Sequence, residues 1–220
     1  NKPINAIYVY QTDGIFQNQE EVDAFYEMYY YTANGGVKPN NILPAPGETG
    51  LNRLRPGARK LVDLNGDGAI TTEDLYYAGD AAPRLAFSIK AGLEWKGIDF
   101  SAFFQGIGKQ VTLRTGSIYA PFVTNYTMQN STFMGKTWTP ENPDAQYTIL
   151  SRDNGFNRFN YENKDISVQN NRYIRLKSLV IGYSLPKQWI AKAGLSKLRF
   201  YFSGDDLWEW TKIKDGYDPE

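Results

Sequence analysis

Residues 63–74 carry oxygen-bearing side chains at the spacing of a calcium-binding loop, and they give the clearest chemical signal in the sequence. Such a loop places acids or amides at its first, third and fifth positions and a glycine at its sixth, where the chain turns sharply. Ca²⁺ takes about six to eight oxygen ligands, so backbone carbonyls and later side chains must complete the shell. The candidate ligands are Asp63, Asn65, Asp67, the backbone carbonyl of Ala69, Thr71 and Asp74.

The last candidate ligand departs from the pattern, because position twelve is Asp74 where an EF-hand has glutamate. The shorter side chain reaches a bidentate pose less easily, which would weaken binding. Asn65-Gly66 and Asp67-Gly68 could also form tight turns that bind no metal. We expect a structural calcium ion here and no catalytic role for the loop.

The composition excludes most kinds of catalysis. The chain has no histidine and no cysteine, so it lacks histidine bases, catalytic triads, disulfides and ordinary zinc sites. A pair of carboxylates, as in glycan-cleaving enzymes, remains, but nothing distinguishes one pair among the 24 acidic residues. We therefore expect a protein that is not an enzyme. The 24 acidic residues are balanced by 24 basic ones, so nucleic acid is not an expected partner.

A long alternating segment is the clearest regular element. Between residues 84 and 95, apolar and polar side chains alternate with the period of a β-strand. Lys96-Gly97 forms a short turn, and the alternation resumes from Ile98 to residue 106. Each strand is about ten residues long, enough for a tilted strand to cross a membrane. The apolar positions of the first strand are Leu85, Phe87, Ile89, Ala91, Leu93 and Trp95, and the polar positions are Arg84, Ser88, Lys90 and Glu94.

The rest of the chain predicts more strands, long polar connections and one or two short helices. The expected elements are a strand at 4–11, a helix capped by Asn18, loops at 35–57 and 112–171, strands at 172–185, 198–203 and 207–213, and a short helix near 187–193. An outer-membrane barrel and a soluble antiparallel sandwich both fit this pattern, because strands alternate in both. No apolar run is long enough for a membrane helix.

Short motifs along the whole chain resemble the C-terminal part of SusC/RagA-type TonB-dependent outer-membrane transporters. Each motif is weak alone, but together they follow the order of the family. The motifs in the first half are YQTDGIFQ at 10–17, RPG at 55–57, DLNGDGAI at 63–70, Gly79-Asp80 with Pro83, WKGIDF at 95–100 and FQG at 104–106. The motifs in the second half are WTPENP at 138–143, YIRLK at 173–177, IGYSLP at 181–186 and DPE at 218–220.

The resemblance implies an all-β fold, the C-terminal portion of a large antiparallel transmembrane β-barrel with long extracellular loops. It implies a place in the bacterial outer membrane, contact with its lipid, and import of oligosaccharides or peptides powered through TonB. It also implies a SusD-like surface lipoprotein as partner. The plug, the TonB-contacting segment and the early strands are expected outside this sequence. The alternative from the residues alone is a soluble, secreted calcium-binding β-module that binds glycan.

On this interpretation, residues 1–220 form one partial barrel domain with four parts. They are an external loop at 55–80, a membrane hairpin at 84–106, a long polar loop at 112–171 and terminal strands at 172–213. A long connection opens to the outside when the short turns face the periplasm. Exposed aromatic residues are enriched at interfaces, so those of the polar loop are candidate contacts for the partner or substrate. They are Tyr119, Phe122, Tyr126, Trp138 and Tyr147; alternatively, they pack the loop against itself.

Overall fold

A computed structural model describes residues 3–47, 53–115, 119, 131–213 and 218–219. The chain divides into two compact units: unit 1 comprises residues 1–79 and 113–168, and unit 2 comprises residues 80–112 and 169–220. The strands are β1 (Ala6–Tyr10), β2 (Thr12–Ile15), β3 (Arg59–Leu61), β4 (Leu75–Asp80), β5 (Leu85–Trp95), β6 (Ile98–Lys109), β7 (Val111–Leu113), β8 (Val168–Asn170), β9 (Tyr173–Ser184) and β10 (Arg199–Thr211). The α-helices are α1 (Gln19–Tyr29), α2 (Asn154–Tyr161) and α3 (Lys187–Ile190). The mostly β class is therefore confirmed, with three short α-helices in these ranges where one or two were expected.

Unit 2 contains one four-stranded antiparallel sheet in the order β10-β9-β6-β5. β5 and β6 form the predicted hairpin, and both residues of its turn, Lys96 and Gly97, have left-handed backbone angles. A β-carbon at Gly97 would lie 2.6 Å from the carbonyl oxygen of Ser184, so the turn requires glycine at that position. β6 pairs with β9 and β9 with β10, so that the hairpin forms one half of a continuous sheet.

The last strand, β10, is longer than predicted. The sequence predicts two strands, at 198–203 and 207–213, whereas β10 runs without a break from Arg199 to Thr211. Between Asp205 and Trp208 its register against β9 shifts, and Asp206 has a left-handed φ of 51°. Across this β-bulge β10 has one more residue than β9, because Asp205 pairs with Ser178 and Trp208 pairs with Leu176. Phe202 and Trp208, six positions apart, lie on the same face of the sheet. The sequence pattern looks broken at the bulge, but the strand continues.

Unit 1 packs short strands and helices around a buried aromatic and aliphatic cluster. Its two-stranded sheets pair β1 with β4 and β2 with β3. Helix α1 begins as predicted at Asn18, whose side chain accepts a hydrogen bond from the Glu21 N–H. The buried hydroxyl of Tyr26 donates to the Pro44 carbonyl and accepts from the Leu54 N–H, both at 3.0 Å. These bonds hold the segments that follow α1 against the helix.

The stretch 112–171, predicted as a long polar loop, contains regular structure in its described residues. Helix α2 lies within it, capped by Asp153, which accepts hydrogen bonds from the N–H groups of Gly155 and Phe156. The side chain of Asn160 is buried, accepts from the Arg59 N–H at 2.7 Å and donates to the Phe156 carbonyl. The helix escaped prediction because asparagine residues occupy part of its buried face and hide the apolar period.

Candidate functional site

One face of the four-stranded sheet is apolar from edge to edge. Residues directly opposite one another in an antiparallel ladder point to the same side, so they form rows across β5, β6, β9 and β10. These rows are Trp95–Ile98–Tyr183–Phe200, Leu93–Phe100–Ile181–Phe202, Ala91–Ala102–Leu179–Gly204, Ile89–Phe104–Leu176–Trp208 and Phe87–Gly106–Ile174–Trp210. None of these rows contains a charged residue, and together they extend about 27 Å along the strands.

Many of these apolar side chains are exposed rather than packed in a core. Leu93 keeps 64% of its surface accessible, and Phe200 keeps 63%. Soluble proteins rarely expose a contiguous apolar surface of this extent. The large aromatic residues concentrate at the two ends of the surface, with Trp95 at one end and Trp208 and Trp210 toward the other. Aromatic residues at both interfaces are typical of membrane barrels.

The opposite face of the sheet is polar. Its rows are Glu94–Asp99–Gly182–Tyr201, Gly92–Ser101–Val180–Ser203, Lys90–Phe103–Ser178–Asp205 and Ser88–Gln105–Arg175–Glu209. The predicted division of the hairpin into an apolar and a polar side is therefore confirmed. What sequence reasoning missed is its continuation across β9 and β10, where the bulges interrupt the pattern.

Ion pairs tie the polar face together near each end. Arg199 Nε donates to Asp99 Oδ1 at 2.9 Å across Gly182, where a β-carbon would lie 2.5 Å from the same carboxylate. A side chain at position 182 would therefore displace this ion pair. Toward the other end, the buried guanidinium of Arg175 pairs with Glu209 and Asp218. Residues 218–219 are thus fixed against the polar face.

The candidate calcium loop folds into a compact turn in unit 1. The two carboxylate oxygens of Asp63 accept hydrogen bonds from the N–H groups of Gly66 and Gly68, at 2.7 and 2.8 Å. The Asn65 amide donates to the Asp67 carboxylate at 3.1 Å, which brings these two candidate ligands together. The ammonium group of Lys38 donates to the Gly68 carbonyl, so a cation already lies beside the loop.

Asp74, the last candidate ligand, has a structural position in this loop. Its side chain is fully buried and accepts hydrogen bonds from the N–H groups of Leu64 and Thr71, at 2.9 and 2.8 Å. Thr71 in turn caps a short 3-10 turn through its hydroxyl. In the described ranges, no group of three or more acidic side chains is close enough to hold a metal ion. A bound ion would therefore depend on amide, hydroxyl and carbonyl oxygens as well as carboxylates.

Of the three described aromatic residues that were candidates for a partner or substrate interface, two lie in the interior of unit 1. Trp138 and Tyr147 are buried, and Trp138 donates from Nε1 to the Gln17 side chain at 2.9 Å. Tyr119 is half-buried and packs edge-on against Tyr161, at 6.0 Å between ring centroids. The expectation that these three side chains are exposed is therefore wrong for Trp138 and Tyr147, because they pack the segment against unit 1. The two other candidates, Phe122 and Tyr126, lie outside the described residues.

Two buried cations, which the sequence does not predict, lie in the same region of unit 1, and one of them contacts its N-terminal segment. Lys164 is 4% exposed, donates to the Glu162 carbonyl at 2.9 Å and lies 5.1 Å from the Tyr10 ring centroid. Burial lowers the pKa of Lys164 to about 8, although nearby Glu162 and Asp165 oppose the shift.

Arg59 is the second buried cation, and it lies among tyrosine rings. It donates to the Gln146 carbonyl at 2.9 Å, and its guanidinium carbon is 6.0 Å from the Tyr161 ring centroid. Burial lowers the pKa of Arg59 and raises that of the Tyr161 hydroxyl, which accepts from Thr148.

In the part of the chain that the structure describes, no α-helix has the length and apolar character needed to span a membrane.

Relatives with similar sequences are TonB-dependent receptors. The chain is 29% identical over 210 residues to TonB-dependent receptor P3 of Formosa agariphila, which covers 94% of this chain and 19% of that protein. It is 26% identical over 206 residues to TonB-dependent receptor P26 of the same organism, which covers 91% and 18%. The chain therefore spans about a fifth of the length of these relatives. No family model matches the sequence.

Solved structures of RagAB have a similar fold. The match to the RagAB peptide transporter covers 97% of this chain and 20% of the transporter chain, with a TM-score of 0.61 and 16% sequence identity. The match to the RagAB peptide importer in its open-open state covers 96% of this chain and 19% of the importer chain, with a TM-score of 0.54 and 17% sequence identity. These comparisons confirm the resemblance predicted from the sequence: the chain is similar in sequence to TonB-dependent receptors of the bacterial outer membrane, and its mostly β fold is similar to part of the RagAB transporter structures.

Proposed function

We propose that this chain forms part of the barrel wall of a TonB-dependent importer that moves oligosaccharides or peptides across the outer membrane. One observation carries the proposal: the four-stranded sheet is apolar over one whole face and polar over the other. In a membrane barrel, the apolar face contacts lipid and the polar face lines the interior. The alternative, a soluble calcium-binding module that binds glycan, is not favoured, because it would expose the apolar face to water.

The connectivity of the sheet supports an orientation in the membrane. The Lys96–Gly97 turn is short, and barrels of this kind have short turns on the periplasmic side. At the end of the sheet away from this turn, the chain enters β5, leaves β6 and enters β9. The long segments before residue 85 and between residues 109 and 173 then continue from the extracellular end.

The proposed partners are TonB, which would supply the energy, and a SusD-like lipoprotein on the cell surface. The similarity to TonB-dependent receptors supports the first partner. Support for the second comes from the shared fold with RagAB, whose solved structures are those of a peptide importer. The polar face offers hydroxyl, amide and paired charged groups, which suit a hydrated substrate rather than an apolar one.

The test is uptake by cells that carry the full-length transporter. Fluorescently labelled oligosaccharides and peptides of matched size are supplied to the wild type, to a strain lacking the transporter, and to a strain lacking TonB. We expect both deletions to abolish uptake of one substrate class, and a tagged transporter to co-purify with a surface lipoprotein. Equal uptake of both classes in all three strains would show that the proposed function is wrong.

The candidate calcium site is part of this proposal, as an ion that orders the turn at residues 63–74. It rests on the contact between the Asn65 and Asp67 side chains and on the Asp63 carboxylate, which accepts hydrogen bonds from the backbone of the same turn. Calorimetric titration of the chelated protein should give a binding heat that is lost in Asp63→Ala. Glu73→Gln is the control, because Glu73 is exposed and lies between the candidate ligands without being one. If calcium gives neither heat nor stabilisation in the unmutated protein, the loop is a metal-free turn.

A further inference from the structure

The connection between β9 and β10, residues 185–198, is basic and carries exposed apolar side chains. It contains Lys187, Lys192 and Lys197 and has no aspartate or glutamate. Trp189 keeps 65% of its surface accessible, and Leu195 keeps 46%. In a soluble loop, isolated exposed apolar residues need no explanation, but here they alternate with cations in a segment without acids.

The connection is held at the end of the sheet where the hairpin turn lies. The Leu185 N–H donates to the Leu198 carbonyl at 3.0 Å, which closes the connection at its base. The Ser184 N–H donates to the Gly97 carbonyl at 2.7 Å, which joins that base to the turn. Ile190 is buried and anchors the short helix α3, so that the residues around it remain outside. The segment is therefore an ordered extension of the sheet end.

The apolar face of the sheet continues to the same end. Its last row contains Trp95, Ile98 and Phe200, all exposed, and the ammonium group of Lys96 lies 4.7 Å from the Trp95 ring centroid. A lysine and a tryptophan thus stand together where the apolar surface ends. Tryptophan and lysine prefer this depth in a bilayer, because the ring lies at the headgroups and the ammonium reaches toward the phosphates.

The charges at this end of the sheet leave Lys187 and Lys192 available to an anion. Two acids lie nearby, Glu94 and Asp99, and both belong to the polar face of the sheet. Asp99 is engaged by the guanidinium of Arg199. Lys187, Lys192 and Lys197 form no ion pair with any described residue. Lys197 nevertheless lies near the carboxylates of Glu94 and Asp99, so Lys187 and Lys192 are the two lysines of the connection that lack a nearby acid.

We propose that the β9–β10 connection binds the phosphate headgroups of anionic phospholipids in the periplasmic leaflet, with Trp189 and Leu195 inserted among the acyl chains. The occupant is a phospholipid because the cations adjoin an apolar surface of membrane thickness, where a soluble anion would have no apolar contact to make. The side of the membrane rests on the orientation in the proposed function. A basic segment next to a bilayer attracts anionic lipid through its lysines.

The experiment uses the full-length transporter in nanodiscs that contain phosphatidylethanolamine and phosphatidylglycerol in equal amounts. After mild detergent extraction, the ratio of retained phosphatidylglycerol to phosphatidylethanolamine is measured for the wild type, for a triple variant with Lys187→Gln, Lys192→Gln and Lys197→Gln, and for the matched triple arginine variant. A lysine near an anionic surface contributes a factor of about five in binding. The wild type and the arginine variant should therefore retain at least about fivefold more phosphatidylglycerol than the glutamine variant.

Two results would overturn the proposal. One is a glutamine variant that retains as much phosphatidylglycerol as the wild type; if the triple variant does not fold, Lys192→Gln alone answers the same question. The other is lysine-dependent retention of lipopolysaccharide instead of phospholipid in a parallel extraction from native membranes, which would place this end of the sheet outside. Neither measurement involves uptake, so a transporter that imports normally but shows no lysine-dependent lipid retention refutes only the lipid site.

Discussion

Replacing Ile89 by arginine should impair assembly of the full-length transporter far more than replacing its neighbour Ser88 by arginine. Ile89 lies on the apolar face of β5, in the row that contains Phe104 and Trp208, whereas Ser88 lies on the polar face in the row of Gln105. Both residues are exposed and adjacent in sequence, so local backbone effects are matched. The two variants therefore differ in the face that receives the charge.

The expected magnitude follows from the depth of each row. An arginine on the lipid face costs about 2–4 kcal/mol at mid-bilayer and about 0–1 kcal/mol near the interfaces. Ile89 is one row, about 7 Å along the strand, from the middle row that contains Ala91. Ile89→Arg should therefore cost about 2 kcal/mol, and Ala91→Arg somewhat more. A loss of about 2 kcal/mol reduces the ratio of folded to unfolded protein about thirtyfold.

The assay is urea unfolding of the transporter in lipid vesicles, together with the fraction of folded barrel recovered from outer membranes. Ser88→Arg should leave both quantities close to those of the wild type, because its side chain would face the polar side. Equal losses in Ile89→Arg and Ser88→Arg would refute the assignment of the two faces. A cost at Ile89 greater than at Ala91 would refute the placement of the bilayer midplane.

Three further predictions concern packing, titration and ion pairing. Gly106→Ala should cost about 1–3 kcal/mol, because the new β-carbon would lie 2.7 Å from a backbone carbonyl and 2.6 Å from the Phe87 ring in β5. Lys164 should favour unfolding below pH 8, since its lowered pKa of about 8 means that the folded state disfavours the charged form. The stability of the wild type relative to Lys164→Met should therefore rise between pH 8 and pH 10, by on the order of 3 kcal/mol in total. Arg175→Gln should cost about 2–3 kcal/mol and release Asp218 from the polar face.

Each of these has a control within the chain. Gly92→Ala, where a β-carbon would have its nearest neighbour at 3.7 Å, should be tolerated; if it is as harmful as the change at 106, close contact is not the cause. For Lys164, thermal unfolding at several pH values is the measurement, and parallel curves for wild type and variant would exclude a titrating lysine. For Arg175, protease cleavage near the C-terminal residues should accelerate in Arg175→Gln but less in Arg175→Lys, which keeps the charge.

The sequence predicted those elements whose side chains follow a simple period. The β5–β6 hairpin was found because its apolar and polar residues alternate without interruption from residue 85 to 95. The sequence predicts two strands in place of β10 because the polar residues Gly204, Asp205 and Asp206 separate its apolar positions, and a bulge leaves no distinct mark on composition. The cap of α1 was found because it needs residues only three positions apart.

Contacts between distant segments could not be predicted from the sequence. Trp138 was expected at the surface because its neighbours are polar, yet its indole donates to Gln17, 121 positions away. The buried Lys164 lies within a run of charged and polar residues, and only its position beside Tyr10 makes it an interior residue. For the same reason the ion pair of Arg199 with Asp99 could not be foreseen, since the two residues meet only through the register of β9 with both neighbours.

The two units differ in the exposure of their aromatic side chains, and this difference indicates the surroundings of each unit. In unit 1 the side chains of Phe16, Phe133 and Phe156 are almost completely buried, as is usual in a protein that folds in water. In unit 2, Phe200 and Trp95 are exposed on a sheet face that has no charged residue in its rows. Burial of such side chains is worth about 1.5–3 kcal/mol each, so a sheet face that leaves them outside must meet a non-aqueous surface to be stable. Composition averaged over the chain shows only a high aromatic content, whereas burial and strand register separate the aromatic residues of a core from those on an exposed apolar face, for which we propose contact with a membrane.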